Sequence, residues 1–196
     1  MANTQLDASL RQVFKRFNPF MVGLFRLGLA PLVNGWPDVG GRILVIAHRG
    51  RKTGRRRLTP VNYAVVRDDL YVTAGFGSGA DWYRNILNDP HVEIWLPDGW
   101  WAGVAEDVSD WEEYLPVLRQ VLIGSGAVAP LMGVDPHTQD DASLAAATAG
   151  YRLVRLHRVE ARTGPGGPSE FAWVWPLVAM ALLPLAIRGL WPRRRD

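Results

Sequence analysis

The chain has 196 residues, 48% of them hydrophobic and 21% charged, which supplies one ordinary core and is too apolar for a disordered tail. It has no cysteine, which excludes zinc ribbons, iron–sulfur clusters, thiol nucleophiles and disulfide frameworks; its four histidines (His48, His91, His137 and His157) lie far apart, so no metal site is expected. The net charge of +3 conceals blocks of +8 over residues 1–70, −10 over residues 71–150 and +5 over residues 151–196, so positive charge is placed rather than spread.

At the N-terminus Leu10, Val13, Phe14 and Phe17, then Phe20, Met21, Leu24 and Phe25, recur at helical spacing with basic residues between them. This predicts an amphipathic helical region over residues 1–38, broken at Pro19, that packs on its own domain or lies on a membrane surface. Asn18, Pro19 and Arg26 interrupt the apolar stretch, so a secretory signal is not expected. From Gly41 the pattern changes to short β runs at residues 43–47 and 58–66, with a tight hairpin at Asp68-Asp69 leading into residues 70–74. Asp81 reads as the N-cap of a two-turn helix over residues 82–88, closed by Asp89-Pro90. A second hairpin joins residues 92–96 to 101–105 about Pro97-Asp98-Gly99, and Ser109 with Glu112 reads as a capping box opening a helix of about a dozen residues. Residues 124–136 read as loop, 138–149 as a short Ala-rich helix and 151–160 as a last strand. Hairpins outnumber helical crossovers, which predicts an α+β fold built on a small antiparallel barrel with flanking helices over residues 39–162.

Residues 163–169 are a Gly/Pro linker, and residues 171–187 are 17 residues without a charge, followed by Arg188 and Arg193-Arg194-Arg195. At about 1.5 Å per residue such a segment spans about 25 Å, the short end of what crosses a bilayer. Trp173, Trp175 and Trp191 bracket it as an interfacial belt would, and Pro176 and Pro184 interrupt its helical hydrogen bonding. The expectation is a C-terminal apolar membrane-associating segment over residues 170–196, attached to the cytoplasmic face of the cell membrane without crossing it.

Three segments have the composition of a binding site. Six positive charges fall within the nine residues from Arg49 to Arg57, in a turn with Gly50, Thr53 and Gly54, which suits a phosphate or polycarboxylate. The same charges suit nucleic acid, but no stacking aromatics flank the turn and the −10 block that follows would repel a long polyanion, so no nucleic-acid partner is expected. Ala74-Gly75-Phe76-Gly77-Ser78-Gly79-Ala80 fits the spacing of a dinucleotide fingerprint, but it follows a hairpin strand and precedes only a two-turn helix. Its glycines still admit a flat ring or a phosphate close to the backbone. Trp82 and Tyr83, on the helix behind it, are most simply core anchors.

Taken in order, Gly-Arg-Lys-Thr-Gly, Arg-x-Thr-Pro-Val-x-Tyr (Arg57 to Tyr63), Tyr71-Val72 before Ala74-Gly75, and Trp-Tyr-x-Asn-Ile-x-Asn-x-Pro-x-Val (Trp82 to Val92) are distinctive. The sequence resembles the deazaflavin-dependent nitroreductase and quinone reductase family, split β-barrel oxidoreductases that use coenzyme F(420). The resemblance covers residues 42–108 and implies that Arg51, Lys52, Thr53, Gly54 and Arg57 hold the coenzyme's phosphate and acidic tail. It further implies that Ala74, Gly75, Phe76, Gly77 and Ser78, with Trp82, Tyr83 and Asn85, seat the deazaflavin. Hydride then passes to a quinone-like or nitro-aromatic acceptor, and no side chain is required as a catalytic base. The acceptor pocket has no such signature; Asn62, Tyr63, Trp100, Trp101 and Tyr151 are the nearest polar or aromatic candidates. An FMN-binding relative on the same barrel and a non-catalytic, membrane-tethered cofactor- or lipid-binding protein are the alternatives.

Overall fold

A computed structural model describes residues 2–190. Six strands, β1 (Ile43–Arg49), β2 (Arg56–Val66), β3 (Asp69–Ala74), β4 (His91–Leu96), β5 (Gly99–Asp107) and β6 (Arg152–Ala161), close into an antiparallel barrel in the order β1-β2-β3-β6-β5-β4. Around it lie α1 (Ala2–Arg26), α2 (Ala30–Val33), α3 (Pro37–Gly40), α4 (Asp81–Asn88), α5 (Tyr114–Ile123), α6 (Val128–Leu131), α7 (Asp141–Ala147) and α8 (Val174–Leu190). The α+β barrel with flanking helices expected from the hairpin grammar is present.

The strand β1 shows how packing follows from sequence. It is apolar at consecutive positions because both its faces are covered. Leu44 and Ile46 point into the barrel with Leu70, Val72, Ile94 and Leu156, whereas Ile43 and Val45 point outward beneath Met21 and Phe25 of α1, beside Trp95 and Trp100. Phe25 and Trp95 are fully buried there, and each such side chain stabilises the fold by about 2–3 kcal/mol. On another side Val117, Leu118, Val121 and Leu122 of α5 pack with Tyr71, Leu153 and Leu144 of α7.

Several local expectations are corrected. The first hairpin turns on Arg67-Asp68, one residue earlier than expected; both residues have positive φ (50° and 71°) and Val66 pairs with Asp69, a two-residue turn whose twist matches its strands. Ser109 caps no helix. Its hydroxyl donates to Asp107 Oδ1 (2.5 Å) and accepts from the Leu153 N–H (3.0 Å), joining β5 to β6, and α5 begins only at Tyr114. Asp81 is the first residue of α4 rather than its cap, and its carboxylate faces Arg51. Pro19 lies inside a continuous α1, its apolar neighbours held by the Met21 and Phe25 contacts, and Pro176 occupies the first turn of α8, where an N–H would be unsatisfied anyway.

Residues 169–175 dock on the end of α1. The Ser169 N–H donates to the Phe25 carbonyl (2.9 Å), Phe171 N–H to Arg26 (2.8 Å) and Trp175 Nε1 to Leu27 (2.7 Å). From Trp175 to Pro184 every residue of α8 is exposed. Among the described residues no helix is long and apolar enough to cross a membrane. The side chains of Leu10, Arg11, Phe14, Lys15 and Arg188, and Trp191 with Arg193 to Arg195, lie outside the described part.

Candidate functional site

The turn between β1 and β2, the first half of β2, the end of β3, α4 and the α5–α6 connection enclose a cleft of about 630 Å³, within the range of small-molecule sites. Of the residues expected in a site, Arg51, Lys52, Thr53, Arg57, Asn62, Gly75, Phe76, Trp82, Asn85 and Tyr151 line it.

The basic turn divides into paired and free cations. Arg51 reaches Asp81 Oδ1 (3.0 Å) and Asn85 Oδ1 (3.0 Å), and Arg56 bonds Glu93 Oε2 and the Gly166 carbonyl, so both are engaged within the protein. The Arg51 hydrogen bond is the first reason that the Asp81 carboxyl lies below its ordinary value. Lys52 and Arg57 make no ion pair or hydrogen bond to any described residue, and both line the cleft. Gly54 takes a φ of 64°, which lets the turn close after Thr53.

Asn85 is 3% exposed and holds the turn in place: its Oδ1 also accepts the Arg51 backbone N–H (3.1 Å), and its Nδ2 stands 3.3 Å from His48 Nδ1. His48 continues the inward-facing row of Leu44 and Ile46 to the barrel mouth, with Nε2 3.0 Å from Thr59 Oγ1. Burial lowers its pKa to about 4; the Arg49 backbone opposes this and the Arg57 charge adds to it, so the ring is neutral at physiological pH. His48, Thr59, Ser125, Val128 and Met132 were not identified from sequence as site residues. In sequence His48 is only one of four scattered histidines, and Met132 is brought to the cleft by tertiary packing that no local pattern announces.

Other expected residues lie elsewhere. Tyr83 is buried and donates from its hydroxyl to Asp107 Oδ2 (2.5 Å); burial first, and then this bond, raises its pKa to about 12. Ala74 is core. Gly77, with φ of 60°, packs so closely on the Gly150 carbonyl that a Cβ has no room, so its smallness serves the backbone rather than a ligand; Ser78 is exposed outside the cleft. Trp100 is buried and donates from Nε1 to Glu93 (3.0 Å), Trp101 lies under Arg158 and against the barrel core, and Tyr63 packs on that core too. Among the described residues no cluster of His, Asp or Glu is arranged to hold a metal ion.

The cleft thus joins two free cations to a wall that includes Trp82, Phe76, Val128 and Met132, a fit for a flat heterocycle with an anionic tail. Residues 28–124 match the family model of F(420)H(2)-dependent quinone reductase. Similar solved structures include the conserved hypothetical protein Rv2991 of Mycobacterium tuberculosis (21% identity, covering 69% of this chain and 79% of that one, TM-score 0.43). HutZ, the heme storage protein of Vibrio cholerae, is 18% identical over 71% of this chain and 96% of its own, with a TM-score of 0.45. An F(420)H(2)-dependent reductase is 14% identical over 59% and 94%, with a TM-score of 0.42. No curated protein matches the sequence.

Proposed function

Because the chain belongs to the F(420)H(2)-dependent quinone reductase family and is an oxidoreductase that uses coenzyme F(420), we propose that it reduces a quinone-like acceptor at a membrane surface, on the cytoplasmic face. When bound, the reduced deazaflavin supplies the hydride. Lys52 and Arg57 attract the coenzyme's anionic tail, and Arg51, pinned by Asp81 and Asn85, keeps the turn in shape for it. Gly75 leaves the floor open: a Cβ there would meet the Met132 methyl at 3.3 Å and the Tyr151 ring at 3.6 Å. Trp82, Phe76 and Met132 exclude water from the ring, and no side chain is needed as a base, since orientation and desolvation do the work.

The observation that supports the membrane part is α8. A helix apolar on all sides belongs in a core or in lipid, yet Leu177, Met180, Leu182 and Leu183 of α8, with Trp173 just before it, are all more than half exposed. Its start is bonded to the end of α1, whose Phe17 and Phe20 are also exposed and whose Asn18 reaches the cleft. Lipid covering both helices would bring the cleft beside the bilayer, where apolar quinones dissolve. The coenzyme is a small molecule of the cytoplasm, which supports the cytoplasmic face. The test is oxidation of the reduced coenzyme by a long-chain quinone in vesicles, followed by absorbance, with a water-soluble quinone for comparison. We expect the full chain to float with vesicles and a chain lacking residues 170–196 to stay in solution, still binding coenzyme but turning over the vesicle quinone more slowly. Equal rates on vesicle quinone with and without residues 170–196 would refute the membrane reading, and no turnover of either quinone would refute the acceptor.

A further inference from the structure

In the wall of the cleft, polar groups form one directed chain through the buried Asn85 and His48, and it ends on a residue to which the proposed function gives no task. Asn85 Oδ1 accepts two hydrogen bonds from Arg51, one from the backbone N–H (3.1 Å) and one from Nη1 (3.0 Å). That fixes which end of the amide is oxygen, so its Nδ2 is the donor toward His48 Nδ1 at 3.3 Å. A ring nitrogen that accepts has no proton, and the single proton of the neutral imidazole is therefore on Nε2. Nε2 lies 3.0 Å from Thr59 Oγ1, so the ring donates and the hydroxyl accepts. Among the described residues Thr59 makes no other side-chain hydrogen bond. It is half-buried and lines the cleft, which leaves its proton only the cleft to point into.

We propose that Thr59 donates a hydrogen bond to the bound deazaflavin, to a carbonyl oxygen or ring nitrogen on the polar edge of the heterocycle, and that His48 and Asn85 are the positioning residues that aim it. The inference rests on the family reading for the identity of the ligand. Charge separates the ring from the tail: Lys52 and Arg57 are the unpaired cations that line the cleft and suit the anionic end, whereas a neutral, directed hydroxyl matches an uncharged carbonyl or ring nitrogen. A hydroxyl without the relay could turn its proton back onto His48. With Nε2 protonated that orientation is closed, so the donor is fixed before the ligand arrives.

Two measurements test this. In the coenzyme-free protein, nitrogen NMR of His48 should show the tautomer protonated at Nε2, and Asn85→Leu should shift it toward a mixture; a ring protonated at Nδ1 would overturn the relay. In titrations with oxidised coenzyme, Thr59→Val should bind about 3- to 10-fold more weakly with a displaced deazaflavin absorption band, and Thr59→Ser should restore both. Wild-type affinity and band position in Thr59→Val would overturn the proposal and leave the family reading intact. A change confined to the KM for quinone would also overturn it, since the donor would then serve the acceptor. A wild-type protein that binds no coenzyme would overturn both.

Discussion

His48 is 3% exposed and bonded on both ring nitrogens, so protonating it means placing a charge in a buried site already facing the Arg57 cation. Its pKa is lowered from 6.5 to about 4 in the folded protein. Between those two values the unfolded chain binds a proton that the folded chain does not, so stability rises with pH across the window. The contribution is fully present above about pH 6.5 and is lost as pH falls toward 4. At about 1.4 kcal/mol per pH unit it amounts to about 3 kcal/mol, a large share of an ordinary domain's stability. Urea unfolding of wild type and His48→Phe at pH 7.5, 6.5, 5.5 and 4.5 isolates it, because carboxylates such as Asp81, Asp89 and Asp107 stay ionised over most of that range in both proteins. The variant starts less stable, having left Asn85 Nδ2 and Thr59 without their partner, and the gap should close by about 2–3 kcal/mol on acidification. A gap that stays constant with pH would refute the assignment of His48 as buried and neutral.

Replacing Lys52 or Arg57 by Ala should each weaken coenzyme binding by about 1.5–3 kcal/mol, and raising salt should weaken the wild type, as isothermal titration will read; unchanged affinity in both variants would remove these cations from the site. Gly75→Val should leave the thermal unfolding midpoint nearly unchanged and abolish coenzyme binding, since it meets only the tips of Met132 and Tyr151. Gly77→Val should instead lower stability by about 2 kcal/mol or more, because it combines a φ of 60° with a clash on the Gly150 carbonyl. Asp196→Cys puts one thiol into a chain that has no other, and an impermeant thiol reagent should label it only after cells are opened; labelling of intact cells would refute attachment without crossing.

The hairpins were legible because alternation and turn chemistry are local, and the basic and glycine turns because their composition is extreme. What sequence could not supply was the face each side chain takes. Trp100 and Trp101 are adjacent on β5 and therefore point to opposite sides of the sheet, one beneath α1 with Trp95, the other against the barrel core under Arg158. Neither meets the cleft, since β5 lies between β4 and β6 while the cleft is built on β1, β2 and β3. That strand order is a long-range fact. Ser109 fails as a cap for a similar reason: the local motif competes with a bond to Leu153, 44 residues away, and the bond between strands wins.

The charge blocks acquire a different meaning in three dimensions. In sequence the −10 block reads as a repeller of long polyanions, set against the basic turn before it. In the fold three of its carboxylates face that turn, Asp89 on Arg49, Asp81 on Arg51 and Glu93 on Arg56, and each pairing uses the guanidinium for architecture. Six clustered positive charges would repel one another and loosen the turn; with these pairings three of them are engaged, and of the three left unpaired among the described residues Lys52 and Arg57 line the cleft beside the apolar wall and Arg55 does not. Two free cations at the mouth of a 630 Å³ cleft match one small ligand with a short anionic tail, whereas an extended polyanion would need a stripe of them. The acidic block therefore decides which basic side chains are left unpaired at the cleft, one lysine and one arginine.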